Sequence, residues 1–252
     1  MTKPSSDSQV ATLDGTLAFP PLDQAWTHHS AAPGLLALGG DLRVERLGEA
    51  YRLGIFPWYS EGQPILWWSP DPRMVLATAN FKWHRSLRKT VDRFRLSGVG
   101  EIRFDHDFER VIRSCAESPR PGQNGTWICE DMIQAYLSLH QAGLAHSVET
   151  WWRGELVAGL YLVNLGRAVF GESMFTQVTD GSKIALAALV AFCRGQRIER
   201  IDCQQNTRHL ASLGAAEIPR REFRAWLQQT THMPPPIWQF DEANWTALNS
   251  DP

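Results

Sequence analysis

Between residues 145 and 176 the chain reads AHSVETWW, ELVAGLYLVNL and RAVFGESMF, three strand-like runs broken only at Arg153-Gly154 and at Gly166. Runs joined by such short turns fold back on one another as an antiparallel meander, and a meander this apolar needs cover from other elements. The flanking sequence supplies it. Before the meander come MVLATA as a strand, HRSLRKTVDRFR as a helix, EIRF as a strand, and HDFERVIRSCAE and EDMIQAYLSLHQAG as helices. After it come a helix from Gly181 to about Arg197, a strand at RIDCQQ, and helices around HLASLG and PRREFRAWLQQ. Strands with helices between and after them predict the α+β class, and no internal repeat is present.

The amino-terminal part is organised differently. Residues 1–18 read as a flexible tail, residues 19–71 as a small domain, and residues 72–252 as the main domain, with the boundary near Asp71. Within the small domain, Asp41 is placed to cap a helix over VERLGEAYRLG, in which Val44, Leu47, Tyr51 and Ile55 fall at helical spacing and Gly54 supplies the stop. The segment IFPWYSEGQPILWWSPDPR carries four prolines in 19 residues and predicts an ordered loop with short extended pieces.

Charge bounds the possible partners. With 25 Lys and Arg against 27 acidic residues the net charge is −2, so a nucleic-acid contact has to come from a local patch. Such a patch exists in HRSLRKTVDRFR, where Arg85, Arg88 and Lys89, with Asp92, lie along one side of the helix; a solvated face gives the same pattern. Cys115, Cys129, Cys193 and Cys203 show neither CxxC spacing nor a companion histidine, so they predict reduced thiols and no metal site. The polar start, with no long apolar run, predicts a cytoplasmic protein without a membrane span.

Two polar interruptions of apolar strands draw attention to chemistry. In IDCQ, alternation puts Asp202 and Gln204 on one face and Ile201 and Cys203 on the other; in GESMF it puts Glu172 with Met174, away from Ser173 and Phe175. Solvent-facing residues of half-buried strands produce the same pattern. Cys203 is expected in the core rather than as a nucleophile. Trp58 in the Pro-rich loop and Trp127 after Gly125 can either cap a core or stack a single-stranded base. The run Arg95-Leu-Ser-Gly-Val-Gly100 superficially matches the phosphate loop of an acyl-CoA-dependent N-acyltransferase, but it follows a helix where that loop needs a strand before it.

GLLALGGDL, AYRLGIFPWY, ILWWSPDPR, GTWI, AYLSLHQAGLAHSVE, FGESMF, SKIAL, IDCQ and HLASLGAAEIPRREF, in this order, resemble the leucyl/phenylalanyl-tRNA protein transferase family. The resemblance implies a small amino-terminal domain on a GNAT-like (acetyltransferase-like) domain. It also implies transfer of Leu, Phe or less readily Met from aminoacyl-tRNA to proteins with an amino-terminal Arg or Lys, marking them for degradation. It gives Glu172, Asp202 and Gln204 as catalytic positions, Trp58 and Trp127 as the hold on the terminal adenosine, and Leu160, Val169, Met174, Leu186, Leu189 and Ile201 as the pocket for the aminoacyl side chain. The expected roles are that Asp202 and Gln204 act as one hydrogen-bonded unit on the amine while Glu172 holds the cationic acceptor. Ala158 and Leu162 stand where the family commonly has glycine, which bears on pocket size. The donor ester is already activated, so neither ATP nor another cofactor is expected, in keeping with the lack of a GxxxxGK[ST] loop. Acyl-CoA-dependent acylation and non-catalytic tRNA binding are the alternatives.

Overall fold

A computed structural model describes residues 10–118 and 128–249. Among these residues the strands form two sheets. The first combines β1 (Ala11–Leu13), β2 (Leu35–Gly39), β3 (Phe56–Pro57) and β4 (Leu66–Trp68) in the order β1-β2-β4-β3, with α1 (Val44–Leu53) between β2 and β3. The stretch expected to be a flexible tail therefore contributes a strand: β1 pairs with β2 in parallel, because its backbone satisfies an otherwise open sheet edge.

Asp41 does not cap α1. The helix begins at Val44, after Arg43, and the Asp41 carboxylate instead accepts from the Arg43 backbone N–H at 3.1 Å and from buried Arg46 at 3.2 Å. Gly54 stops the helix as expected, at φ 78°, in the left-handed conformation that glycine tolerates best.

The larger sheet holds β5 (Arg73–Ala77), β6 (Gly100–Phe104), β7 (Ala145–Trp152), β8 (Glu155–Leu165), β9 (Ala168–Thr176), β10 (Arg200–Gln204) and β11 (Ala216–Ile218), ordered β11-β5-β10-β9-β8-β7-β6. The meander expected from the sequence is β7-β8-β9. Around the sheet lie α2 (Arg85–Arg95), α3 (Phe108–Glu117), α4 (Glu130–Gln141), α5 (Gly181–Gly195), α6 (Arg208–Ser212) and α7 (Arg220–Thr230).

Side-chain alternation divides the core into two layers. On β8, Leu160 and Leu162 face the layer of α2 and α5, whereas Tyr161, Val163 and Leu165 face that of α3, α4, α7 and the first sheet. Helix α5 is apolar almost all round and is buried accordingly. No helix of the described residues is long and apolar enough to cross a membrane. Their four cysteines are free.

The parallel pair β9/β10 is the exception in an otherwise antiparallel sheet. It is registered only at Val169↔Ile201 and Phe170↔Asp202. Beyond that point both strands carry a bulge. Tyr161 and Leu162 of β8 oppose Ser173 and Gly171, which leaves Glu172 as the extra residue. Val75 and Met74 of β5 oppose Asp202 and Gln204, which leaves Cys203 as the extra residue.

Candidate active site

The two bulges face each other across a cavity of about 360 Å³. Its apolar wall is formed by Leu160, Met174, Leu186, Leu189 and Ile201, and Phe56 and Trp58 approach from the first sheet. Glu172, Gln204 and His209 supply polar groups on the same wall. A largely apolar recess of this size with a few convergent polar groups is what a small-molecule moiety needs for binding.

Alternation alone does not describe this wall. Glu172, Ser173 and Met174 all line the cavity, as do Cys203 and Gln204, because an extra residue at each bulge turns neighbouring side chains to the same side. Cys203 thus lines the cavity while packing against the core, and burial pushes its thiol up to about 12, which disfavours the nucleophilic thiolate.

Glu172 has three hydrogen-bond partners. Its Oε1 accepts from the Tyr51 hydroxyl at 2.8 Å and from the Gln204 side-chain amide at 2.8 Å, and its Oε2 accepts from the Tyr136 hydroxyl at 3.1 Å. The Tyr51 and Tyr136 hydroxyl oxygens also lie within hydrogen-bond reach of each other; with one proton each, they donate to Glu172 when it is ionised, and one can turn to the other hydroxyl when Glu172 is protonated. Burial raises the Glu172 carboxyl to about 7, outweighing the three hydrogen bonds, which pull it down; the Asp202 charge adds a smaller push upward. A carboxyl placed there exchanges its proton near neutral pH.

Asp202 does not line the cavity. It is fully buried, bound through both oxygens to Arg73, and its Oδ1 accepts from the Gln204 backbone N–H at 2.9 Å. The expected Asp202–Gln204 unit therefore exists, but it runs through the main chain. Gln204 itself sits at φ 60°.

The remaining expected residues separate. Val169 is fully buried beside Ile201 and, unlike Ile201, does not line the cavity. Ala158 and Leu162 are likewise buried away from the cavity, so their replacement of glycine does not set its size. Trp58 is half-buried at the cavity, its ring 5.5 Å from that of Trp68. Trp127 lies outside the described residues. Arg85, Arg88 and Lys89 are exposed on α2, opposite its buried Leu87, Val91 and Phe94, and none of the three lines the cavity.

The segment 95–100 runs from the last residue of α2 into β6, the reverse of the strand-to-helix context a phosphate loop requires. Tyr51, Tyr136, Arg73 and His209 were not singled out as site residues from sequence. Burial of Tyr51 was foreseeable from its helical spacing, but nothing local to the sequence points its hydroxyl at Glu172. Burial also lowers the His209 imidazole, with nearby Lys183 adding to the effect.

Comparisons with known proteins show the family to which the chain belongs. A family model described as leucyl/phenylalanyl-tRNA protein transferase matches residues 75–228, and one described as the amino-terminal domain of that transferase matches residues 40–71. A curated relative from Polaromonas sp. (strain JS666), named leucyl/phenylalanyl-tRNA–protein transferase, is 63% identical over 230 residues, which cover 91% of this chain and 90% of the relative. One of the same name from Albidiferax ferrireducens is 58% identical over 236 residues, 94% and 93% of the two chains. Among solved structures, L-PGS from Bacillus licheniformis aligns with a TM-score of 0.40 and 13% identity over 82% of this chain and 64% of that one.

Proposed function

Because the chain belongs to the leucyl/phenylalanyl-tRNA protein transferase family, we propose that the cavity between the two bulges receives the aminoacyl end of a charged tRNA and that Glu172 deprotonates the incoming amine. The observation that carries this reading is a carboxyl group near its midpoint at neutral pH, in a three-donor hydrogen-bond shell, on the wall of an apolar recess.

The α-ammonium of an acceptor protein, with an ordinary pKa of about 7.7–8.0, has to lose a proton before its nitrogen can attack. Glu172 takes that proton and passes it to solvent. The nitrogen then attacks the ester carbonyl carbon, the C–N bond forms, the bond from that carbon to the ribose oxygen breaks, and the nitrogen's second proton leaves with the ribose oxygen. Gln204 fixes the Glu172 carboxylate, and Asp202 acts on Gln204 through the backbone. On this reading Glu172 acts on the acceptor's proton rather than as a clamp on its cationic end, because burial raises its carboxyl to about 7.

The wall of Leu160, Met174, Leu186, Leu189 and Ile201 suits Leu, Phe and, less well, Met, with Trp58 stacking on the terminal adenosine and α2 meeting phosphates through Arg85, Arg88 and Lys89. The acceptors on this reading begin with Arg or Lys. Apolar cavities separate side chains differing by a methylene or two by only about 10–200-fold, so Leu, Phe and Met should overlap as donors.

Purified protein given labelled Leu-, Phe- or Val-tRNA, or acetyl-CoA, together with peptides beginning with Arg, Lys or Ala, tests this. The expected outcome is label moving from Leu- and Phe-tRNA to the Arg and Lys peptides alone. Acetylation from acetyl-CoA without transfer from tRNA would replace this reading with acyl-CoA chemistry.

A further inference from the structure

Asp202 reaches Gln204 through a backbone amide, and Asp202 is itself held by Arg73. Arg73 is 1% exposed. Its Nε and Nη2 donate to the two Asp202 oxygens at 2.8 and 2.6 Å, and its Nη1 donates to the Gly54 carbonyl at 3.2 Å. The rings of Phe56 and Phe223 each lie 4.7 Å from the guanidinium carbon. Two rings and three hydrogen bonds leave this cation little freedom to move, so the paired carboxylate is fixed with it.

Downstream of this clamp sits a conformation that does not hold itself. Gln204 has φ 60°, which a non-glycine residue keeps only when its surroundings impose it. The group that engages its N–H is Asp202 Oδ1, and from this turn the Gln204 side chain reaches Glu172.

We propose that Arg73 is a positioning residue for the transfer reaction: through Asp202 it holds the Gln204 backbone in its left-handed turn, so that the Gln204 amide meets Glu172. The proposal rests on the transferase reading above. It assigns Asp202 a geometric task, since a buried carboxylate bound at both oxygens to a guanidinium touches neither substrate nor solvent.

Arginine and lysine are not equivalent at a two-pronged site. In Arg73→Lys one ammonium cannot span both oxygens and the Gly54 carbonyl, and misplacement of the turn by about 1 Å is expected to lower kcat by about 100-fold. The KM values for Leu-tRNA and for the peptide should stay within roughly threefold, because a residue acting only through geometry at the reacting atoms moves kcat and kcat/KM together. The paired variant Arg73→Gln, Asp202→Asn removes both charges but can keep an N–H donor at residue 73 and a carbonyl acceptor for the Gln204 N–H. It should recover at least about 10-fold in kcat over Asp202→Asn alone, which strands the guanidinium.

The assignment is overturned by a folded Arg73→Lys protein with wild-type kcat, by a loss confined to KM, or by a paired variant no more active than Asp202→Asn. Should Arg73→Lys not fold, the comparison of the paired and single Asp202 variants decides by the same criterion. If wild-type protein transfers nothing from Leu- or Phe-tRNA, the transferase reading has failed and this assignment falls with it.

Discussion

Glu172 carries a pH signature. Its proton affinity is raised to about 7 in the folded protein, so below the unfolded carboxyl range it is protonated whether the chain is folded or not. As pH rises from about 4.3 towards 7, the unfolded chain gives up this proton first, and the stability the protonated form contributes is lost. Replacing Glu172 with Gln should flatten this part of the stability-versus-pH curve in urea titrations. Activity should respond in the opposite sense, rising with pH as the carboxylate appears. The hydroxyls of Tyr51 and Tyr136 stabilise that carboxylate, so Tyr51→Phe should move the acid limb of kcat/KM to higher pH. A limb that stays in place would mean that another group sets it.

Among the elements, α1 and the bulged strands show what sequence reasoning can and cannot reach. The β7-β8-β9 meander was legible because its turns are marked by Arg153-Gly154 and Gly166, and α2 was legible from its helical periodicity. The strands β1 and β11 were missed because three residues carry no measurable period. The bulges at Glu172 and Cys203 were missed for a stronger reason. A bulge is defined by the partner strand, so the residue types were visible in the chain while their directions were not. Arg73, at the first position of β5, looks from sequence like an ordinary strand start; its partners come from Gly54, Asp202 and Phe223. Gly54 gives a test at this scale. It sits at φ 78°, and an added Cβ would stand 2.9 Å from the Phe223 ring. Gly54→Ala should therefore destabilise the protein by at least about 1–2 kcal/mol, read as a lower urea midpoint at unchanged slope.

For the molecule as a whole, a net charge of −2 makes any attraction to tRNA a matter of placement. If α2 meets phosphates, replacing Arg88 with Ala should weaken tRNA binding and reduce the slope of log K against log salt by about 0.7–0.9, as one lost phosphate contact does. An unchanged slope would make that face of α2 a solvated one. Trp58→Ala should act differently, costing about 1–3 kcal/mol of tRNA binding with little change in salt dependence, because stacking is not an ionic interaction.

The order in which the site's parts occur along the chain has a consequence for synthesis. Arg73 is flanked by Phe56, which is made before it, and by Phe223 of α7, which is made long after it. Glu172 likewise needs Tyr51 on one side and Gln204 on the other. A chain still emerging from the ribosome can have the meander in place and yet lack the ring that holds the guanidinium. The set of contacts around Arg73 and Glu172 therefore closes only after both β10 and α7 have been made.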